Sequence, residues 1–482
     1  MTLTPPSLAA PTRPPSPLTT PGLLTLLLGA SLSSIDFFIV NVALPSIERD
    51  LHASPATLEM VVAGYAVAYA VLLVLGGRLG DTYGRRKLFL WGVAAFGVTS
   101  LACGLAPGAW WLVGARVAQG AASALMLPQV LGTLHATTRG ERRARAVALY
   151  GAVSGIAGLL GQALGGALVA ADLGGTGWRA AFLVNVPVAA AALLVGVRAV
   201  PDSRAERPAR GDVLGTALFA AALTALLLPL TEGRTTGWPL WSVLLLLAAP
   251  LLGWAFGAVE GRAERTGGSP LLPPSLLREP AVRKSLALGL PIFVGFSGFM
   301  FCFAIILQQG LRYGALKAGL TVLPMGLTQV PAAMLVPRLV RRWGTRAMTR
   351  AALVHAAGLT VLALTFLAPT VLTPTVRWST LPPLALAPGL LLCGLGQGVQ
   401  LALYYRIALS AVPAARAGAG SGLAATVQQS CLALGVATVG SLFLALVPDI
   451  GMRDAFVGAL GVQLVGLLGL AGLSLRLPRA MT

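Results

Sequence analysis

Long apolar runs alternate with short polar segments along almost the whole chain. A run of about 20 apolar residues is long enough to cross the hydrocarbon core of a bilayer as an α-helix, and longer runs accommodate tilt. The pattern therefore predicts an all-α polytopic membrane protein. The fourteen predicted spans cover residues 22–45, 58–78, 88–106, 110–134, 144–170, 180–198, 213–231, 239–259, 284–309, 317–337, 350–370, 382–405, 415–446 and 453–475.

The composition supports this class. Of the 482 residues, 56% are hydrophobic and only 11% are charged, whereas soluble domains carry roughly 25% charged residues. Residues 1–21 are rich in Pro, Ser and Thr. They lack the basic start and apolar centre of a signal peptide, so we expect a disordered cytoplasmic tail. Residues 477–482 are expected to form a short cytoplasmic tail at the other end.

The net charge of +19 follows membrane topology. With the N-terminus inside, the inner segments carry 27 of the 35 Lys and Arg residues and the outer segments carry 7. Such an excess of bases on one side is typical of cytoplasmic loops. We therefore expect both termini in the cytoplasm and no nucleic-acid partner. The expected partners are the lipid bilayer, protons and a small-molecule substrate, and we expect a monomer.

Weak internal repeats relate segments that lie eight spans apart. This shift indicates two six-helix halves, over residues 22–200 and 281–476, separated by two inserted helices with linkers over 201–280. Parallel halves of this kind are a known transporter plan, with the substrate site near the midplane. The matching pairs are "GRLGDTYGRR" from Gly77 with "PRLVRRWGTR" from Pro337, Gln119-Gly120 with Gln397-Gly398, and "GAVSGIA" from Gly151 with "GAGSGLA" from Gly418.

Two charged residues lie deep within predicted spans. Asp36 lies in span 1 and Arg116 in span 4. Charges inside a membrane are costly and mark functional sites by default, so we predict a proton-coupling site there. The sequence does not say whether they touch. Glu59, at the outer start of span 2, is either an interfacial acid or a third proton-coupling residue.

Polar side chains within other spans are candidates for the wall of a substrate cavity. Gln119 follows Arg116 by one turn and shares its helix face. The remaining candidates are Asn41, Gln162, Gln308 and Gln429. Span 5 is dense in glycine, and small residues let membrane helices approach closely. The predicted packing positions are Gly155, Gly161, Gly165 and Gly166.

The segment between spans 2 and 3 combines glycines, bases and one acid. The bases anchor topology, but acids contribute little to orientation. The acid, Asp81, is therefore predicted to pair with a base or a helix N-terminus and to hold one conformational state. The predicted gating residues are Gly77, Asp81, Gly84, Arg85 and Arg86.

Several motifs together resemble the major facilitator superfamily, and within it the fourteen-helix drug:proton antiporter branch. "GRLGDTYGRRK" from Gly77 is similar to the superfamily's loop 2–3 signature. "DFFIVNVALP" from Asp36, "RVAQG" from Arg116 and "WRAAFLVNVP" from Trp178 resemble motifs of that branch in spans 1, 4 and 6. The resemblance implies the major facilitator fold, multidrug efflux and a role for Arg116 in proton coupling.

The expected function is therefore proton-coupled export of drugs, antibiotics or related amphipathic molecules from a bacterial cytoplasm. No cofactor is expected, because the proton gradient drives transport. No constellation of an enzyme or a metal site is visible among the acids, histidines and cysteines. Gln162 stands where the antiporter signature has Pro, which leaves open a symporter. The sequence is also compatible with a transporter of one specific metabolite, and with a membrane scaffold or sensor that does not transport.

Overall fold

The structure of the protein is a computed structural model. It describes residues 18–203, 212–232, 237–268, 270, 272–344, 346–371, 378–410 and 417–475. Most of the predicted N-terminal tail and all of the predicted C-terminal tail lie outside these residues. The described chain is helical and contains no strand.

Seven helices build the first half of the bundle. Apolar residues fill their packed faces, and Ser54 and Thr19 accept hydrogen bonds from the first backbone N–H groups of two of them. The helices are α1 (Thr20–Leu51), α2 (Pro55–Tyr83), α3 (Arg85–Gly104), α4 (Ala109–Thr137), α5 (Gly140–Ala171), α6 (Ala180–Leu183) and α7 (Asn185–Ala199).

Two long helices and two short ones connect the halves. These are α8 (Val213–Glu232), α9 (Leu240–Arg265), α10 (Pro274–Arg278) and α11 (Pro280–Ala287). Helices α8 and α9 pack together as a hairpin, and α8 also lies against α2. Helix α8 also contacts α17 (Ala417–Gly435) of the second half, so the inserted pair lies against both halves of the bundle.

The second half repeats the helix pairs of the first. Its helices are α12 (Gly289–Ile305), α13 (Ala315–Thr321), α14 (Leu323–Trp343), α15 (Arg346–Val371), α16 (Pro383–Ser410), α17 (Ala417–Gly435) and α18 (Ser441–Leu475). Helix α14 packs on α16 as α2 packs on α4, and α12 packs on α17 as α1 packs on α5.

Eleven stretches of the described chain are long and apolar enough to cross a membrane. Two further apolar helices, Ile156–Ala171 and Leu214–Leu230, are shorter. One stretch, Thr426–Leu475, is 50 residues long, and Gly451 within it has non-helical backbone angles (φ 81°, ψ 160°). The prediction of an all-α multi-pass membrane protein is confirmed, and the count of fourteen stays a prediction.

Glycines set the close approach of paired helices. A Cβ atom at Gly161 would lie 2.6 Å from the carbonyl oxygen of Ile35, and one at Gly165 would lie 2.9 Å from that of Ile39. Gly166 faces the backbone of Ala315 in the second half. Three of the predicted packing glycines therefore have steric reasons to be glycine. The fourth, Gly155, lies outside the residues whose contacts the structure describes.

The prediction that residues 79–87, between spans 2 and 3, form a loop is wrong. Helix α2 continues to Tyr83, α3 begins at Arg85, and Gly84 alone joins them with φ of 103°. The apolar pattern predicts how much of the chain lies within lipid. A helix can extend beyond the lipid into water, because its backbone hydrogen bonds are made within the helix. Gly344 ends α14 with φ of 56°, so the repeat also places a glycine with positive φ at the equivalent position.

Candidate functional site

The two charges predicted to lie within the membrane form an ion pair. Asp36 on α1 and Arg116 on α4 are both 0% exposed, and the Nη1 atom of Arg116 donates a hydrogen bond to Oδ2 of Asp36. Removing two charges from water costs several kcal/mol per ion, and good geometry with further hydrogen bonds is needed to offset it. The surrounding side chains supply these bonds.

Two amides complete the shell of Asp36. Its Oδ1 atom accepts hydrogen bonds from Nε2 of Gln119 at 2.9 Å and from Nδ2 of Asn185 at 2.8 Å. Asn185 is the first residue of α7, so the carboxylate joins α1 to both α4 and α7. Three donors on one carboxylate stabilise its ionised form.

The guanidinium of Arg116 is held by oxygen atoms and by an aromatic face. Its Nε donates to the carbonyl oxygen of Val61 at 3.1 Å, and its Nη1 donates to Oε1 of Gln119 at 2.8 Å. The guanidinium carbon lies 4.3 Å from the centre of the Tyr65 ring, a cation–π contact. Its Nη2 atom is buried and has no hydrogen-bond partner among the described residues.

Gln119 is the bridge of this network. Besides contacting both charged residues, it donates to Oγ of Ser100 on α3 at 2.7 Å. Tyr65 extends the network through its hydroxyl, which lies 2.7 Å from Oγ of Ser123 and 3.1 Å from the carbonyl oxygen of Ser33. Five helices of the first half, α1, α2, α3, α4 and α7, therefore meet at this polar cluster.

The sequence identified only part of this cluster. Asp36, Arg116 and Gln119 were predicted, and the structure brings all three together. Asn185 and Ser100 were missed, although Asn185 interrupts the apolar run "FLVNVPV", which is a usable signal. A serine in an apolar helix is too common to single out.

Glu59 lies elsewhere, between the two halves. It is 0% exposed, and Oγ of Ser441 at the start of α18 donates to its Oε2 at 2.7 Å. Nearby, Nε2 of Gln309 donates to Oε2 of Glu48 at 3.1 Å. Both contacts join the halves at the end of the bundle where α1 ends and α2 begins, the outer end in the predicted orientation.

Of the predicted cavity residues other than Gln119, one has a contact with the opposite half. Gln162 is buried, and its Nε2 lies 3.7 Å from the sulfur atom of Met300 in the second half. Asn41 and Gln429 are also buried. Gln308 is half-buried in a π-helical turn, where its Nε2 lies 3.4 Å from the carbonyl oxygen of Ala304. No hydrogen bond of the described chain joins two of these four residues, and the fifth predicted cavity residue, Gln119, belongs to the cluster around Asp36.

Tyrosines from both halves lie near one another. Tyr69 on α2 is buried, and its hydroxyl has no hydrogen-bond partner among the described residues. Tyr150 on α5 and Tyr405 on α16 lie near this hydroxyl. The hydroxyl of Tyr405 donates to Oε1 of Gln428 on α17. The sequence did not single out these residues, because tyrosines in different spans carry no spacing signal.

The predicted gating residues surround the single turn at Gly84. Nη2 of Arg85 donates to Oδ1 of Asp81 at 2.7 Å, so the pair bridges the end of α2 and the start of α3. Arg86 donates to the carbonyl oxygen of Val197 on α7. A Cβ atom at Gly77 would make only an ordinary contact with Pro128, at 3.6 Å. Asp81 thus pairs with a base, as predicted, within its own half.

Comparison with known proteins identifies the family. The profile described as Major Facilitator Superfamily matches residues 26–436. The chain belongs to the Major Facilitator Superfamily. It is 37% identical to the "Probable actinorhodin transporter" of Streptomyces coelicolor over 88% of this chain and 72% of that protein. It is 33% identical to the tetracenomycin C resistance and export protein of Streptomyces glaucescens over 89% of this chain and 77% of the relative.

A solved structure shows the same fold. The peptide transporter POT in complex with sulfate superposes with a TM-score of 0.67, covering 95% of each chain at 16% identity. The match to the family profile and the identity with the two relatives confirm the resemblance inferred from the motifs. Within the described chain, no group of three or more His, Cys, Asp or Glu residues is arranged to hold a metal ion.

Removing the charge of Asp36 should lower the free energy of unfolding more than removing the charge of Arg116. The Asp36→Asn variant should lower the free energy of unfolding by about 3–5 kcal/mol, because a guanidinium without its counter-ion stays charged. The Arg116→Met variant should cost less, because a carboxyl group can bind a proton and become neutral. Thermal unfolding of the detergent-solubilised variants measures this difference.

The double variant Asp36→Asn/Arg116→Met is the control for this comparison. It leaves no buried charge, so it should unfold at a higher temperature than Asp36→Asn alone. Equal effects of the two single changes would contradict the predicted difference between them. Additive effects in the double variant would show that the two charges do not stabilise each other.

Proposed function

We propose that the protein is a proton-coupled exporter of small organic compounds of the drug and antibiotic class, working by alternating access. The observation that carries the proposal is the fully buried Asp36–Arg116 pair, the kind of intramembrane charge pair that proton relays use. The names of the relatives support export of antibiotics. We further propose fourteen spans in a bacterial cytoplasmic membrane, with both termini inside.

Protonation of Asp36 is the central step of the proposed cycle. A proton on the carboxylate removes the negative charge that holds Arg116, so α1 and α4 are released from each other. The membrane potential can supply free energy for this cycle, because each elementary charge that crosses about 100 mV yields about 2.3 kcal/mol. Loss of that proton to the cytoplasm would restore the pair.

A movement of α1 would be transmitted to the other half of the bundle through the residues that pack against it. Phe38 lies two residues after Asp36, and its ring is 5.2 Å from that of Phe296 in the second half. Ile35 and Ile39 pack directly on glycines of α5. A shift of α1 around Asp36 therefore has a packed route to the interface between the halves.

For the substrate, we propose a site between the halves that includes Tyr69, Tyr150 and Tyr405. Aromatic faces and hydroxyl groups from both halves suit an amphipathic compound with rings, because such pockets combine apolar walls with a few polar groups. Glu59 and the cavity residues predicted from the sequence, Asn41, Gln162, Gln308 and Gln429, are proposed to line the path on either side. We propose no cofactor.

Transport in proteoliposomes tests the assignment. With a trapped pH indicator, transported compounds from a panel of antibiotics and dyes should change the internal pH with wild-type protein. The double variant Asp36→Asn/Arg116→Met should give no pH change, because it has no titratable group at the site. The Asp454→Asn variant, which removes an acid paired with the neighbouring Arg453, should behave as wild type.

The sign of the pH change decides between antiport and symport. Proton movement opposite to the compound supports export by exchange, and movement in the same direction would assign a symporter. A wild-type protein that gives no response to any compound would favour a scaffold or sensor. A normal response in the double variant would overturn the role of the buried pair.

The turn at Gly84 is proposed to gate the inner end of the transporter. The Asp81→Asn variant should lower the turnover number several-fold and change KM little, because its ion pair with Arg85 stabilises one conformational state and does not contact substrate. Initial transport rates over a range of substrate concentrations separate the two constants. The Asp202→Asn variant, at an exposed acid on the same side, is the control. A change in KM alone for Asp81→Asn would contradict gating.

A further inference from the structure

Two carboxyl groups outside the buried pair face each other at the base of the inserted hairpin. Asp212 precedes α8, and its Oδ1 accepts a hydrogen bond from the backbone N–H of Gly215 at 2.7 Å. Glu260 lies near the end of α9 and is 0% exposed. Its Oε2 accepts a hydrogen bond from the backbone N–H of Leu272 at 2.6 Å. One oxygen of each carboxyl group is thus satisfied by the backbone.

The second oxygen of each group has no such donor. Oδ2 of Asp212 and Oε1 of Glu260 are buried and have no hydrogen-bond partner among the described residues. Both atoms lie over the Cα atom of Gly215, where a side chain would collide with them, and the two carboxyl groups are within hydrogen-bonding range of each other. Two ionised carboxylates this close repel strongly, and one shared proton satisfies both oxygens.

Arg78 is a base of the described chain that lies close to this pair. Arg78 on α2 interacts electrostatically with both Asp212 and Glu260, and it donates a hydrogen bond to the carbonyl oxygen of Pro270, just beyond α9. Asp81, on the same helix, also acts on Arg78. The other nearby acid of α9, Glu264, is engaged by the N–H and hydroxyl of Ser275. A singly protonated pair carries one negative charge, opposite in sign to that of Arg78.

We propose that Asp212 and Glu260 form a second proton-binding site, which holds one shared proton between the inserted hairpin and the end of α2. Arg78 follows Gly77 in the segment that leads to the turn at Gly84, so the charge of this site acts directly on the predicted gate. Loss of the shared proton strengthens the attraction between Arg78 and the hairpin. The site is independent of the Asp36–Arg116 pair and of the direction of transport.

Infrared spectroscopy of the purified full-length protein tests the shared proton directly. The carbonyl stretch of a protonated carboxylic acid absorbs at a different infrared frequency from the stretches of a carboxylate. At neutral pH, Asp212→Asn and Glu260→Gln should each lose the same amount of this band relative to wild type, because either change lets the remaining acid ionise beside Arg78. The double variant should lose no more than either single variant, and Glu264→Gln should lose none.

Both substitutions keep the backbone hydrogen bonds, since Asn remains a good acceptor at the start of α8 and Gln can still accept from Leu272. If Glu260→Gln does not elute as a folded protein, Asp212→Asn alone must show the loss. Unchanged bands in the folded single variants, or losses that add in the double variant, would overturn the proposal. The readout needs no substrate, so its failure is distinct from failure of the proposed transport function.

Discussion

The buried ion pair between Asp36 and Arg116 is the interaction on which the organisation of the first half depends. Neither charge reaches water, so each must find its partners among the surrounding helices. Asn185 and Gln119 supply donors to the carboxylate, and the Val61 carbonyl oxygen and the Tyr65 ring hold the guanidinium. The requirement to satisfy these two charges fixes the relative positions of α1, α2, α4 and α7. Protonation of Asp36 would relax that requirement, which is the basis of the proton coupling that we propose.

Close packing connects the Asp36–Arg116 pair to the second half of the bundle. Gly161 and Gly165 leave no space between α5 and the backbone of α1 on either side of Asp36, and Phe38 contacts Phe296 in the other half. At the end of the bundle where α2 begins, Ser441 donates a hydrogen bond to Glu59 across the same interface. A packed interface of this kind moves as a unit rather than deforming residue by residue. In the cycle that we propose, proton binding at one point on α1 would therefore change how the two halves fit together.

The hydropathy pattern of the sequence predicted the helices and the most conspicuous part of the site. Charges and amides within apolar runs stand out, so Asp36, Arg116 and Gln119 were identifiable, and helical spacing placed the last two on one face. Contact with Asp36 was not predictable, because it depends on how α1 crosses α4. Asn185 and Glu260 were overlooked because a polar residue near a helix end is ordinarily interfacial. The loop predicted before Gly84 proved helical, since hydropathy reports the membrane boundary rather than the helix end.

In the proposed export by exchange, binding of a compound displaces the proton from Asp36. Calorimetric titration of a transported compound into detergent-solubilised protein, repeated in buffers of different ionisation enthalpy, counts the protons released on binding. We expect release of about one proton per bound compound at a pH where Asp36 is partly protonated, and none in the Asp36→Asn/Arg116→Met variant. The same proton count in both proteins would contradict it.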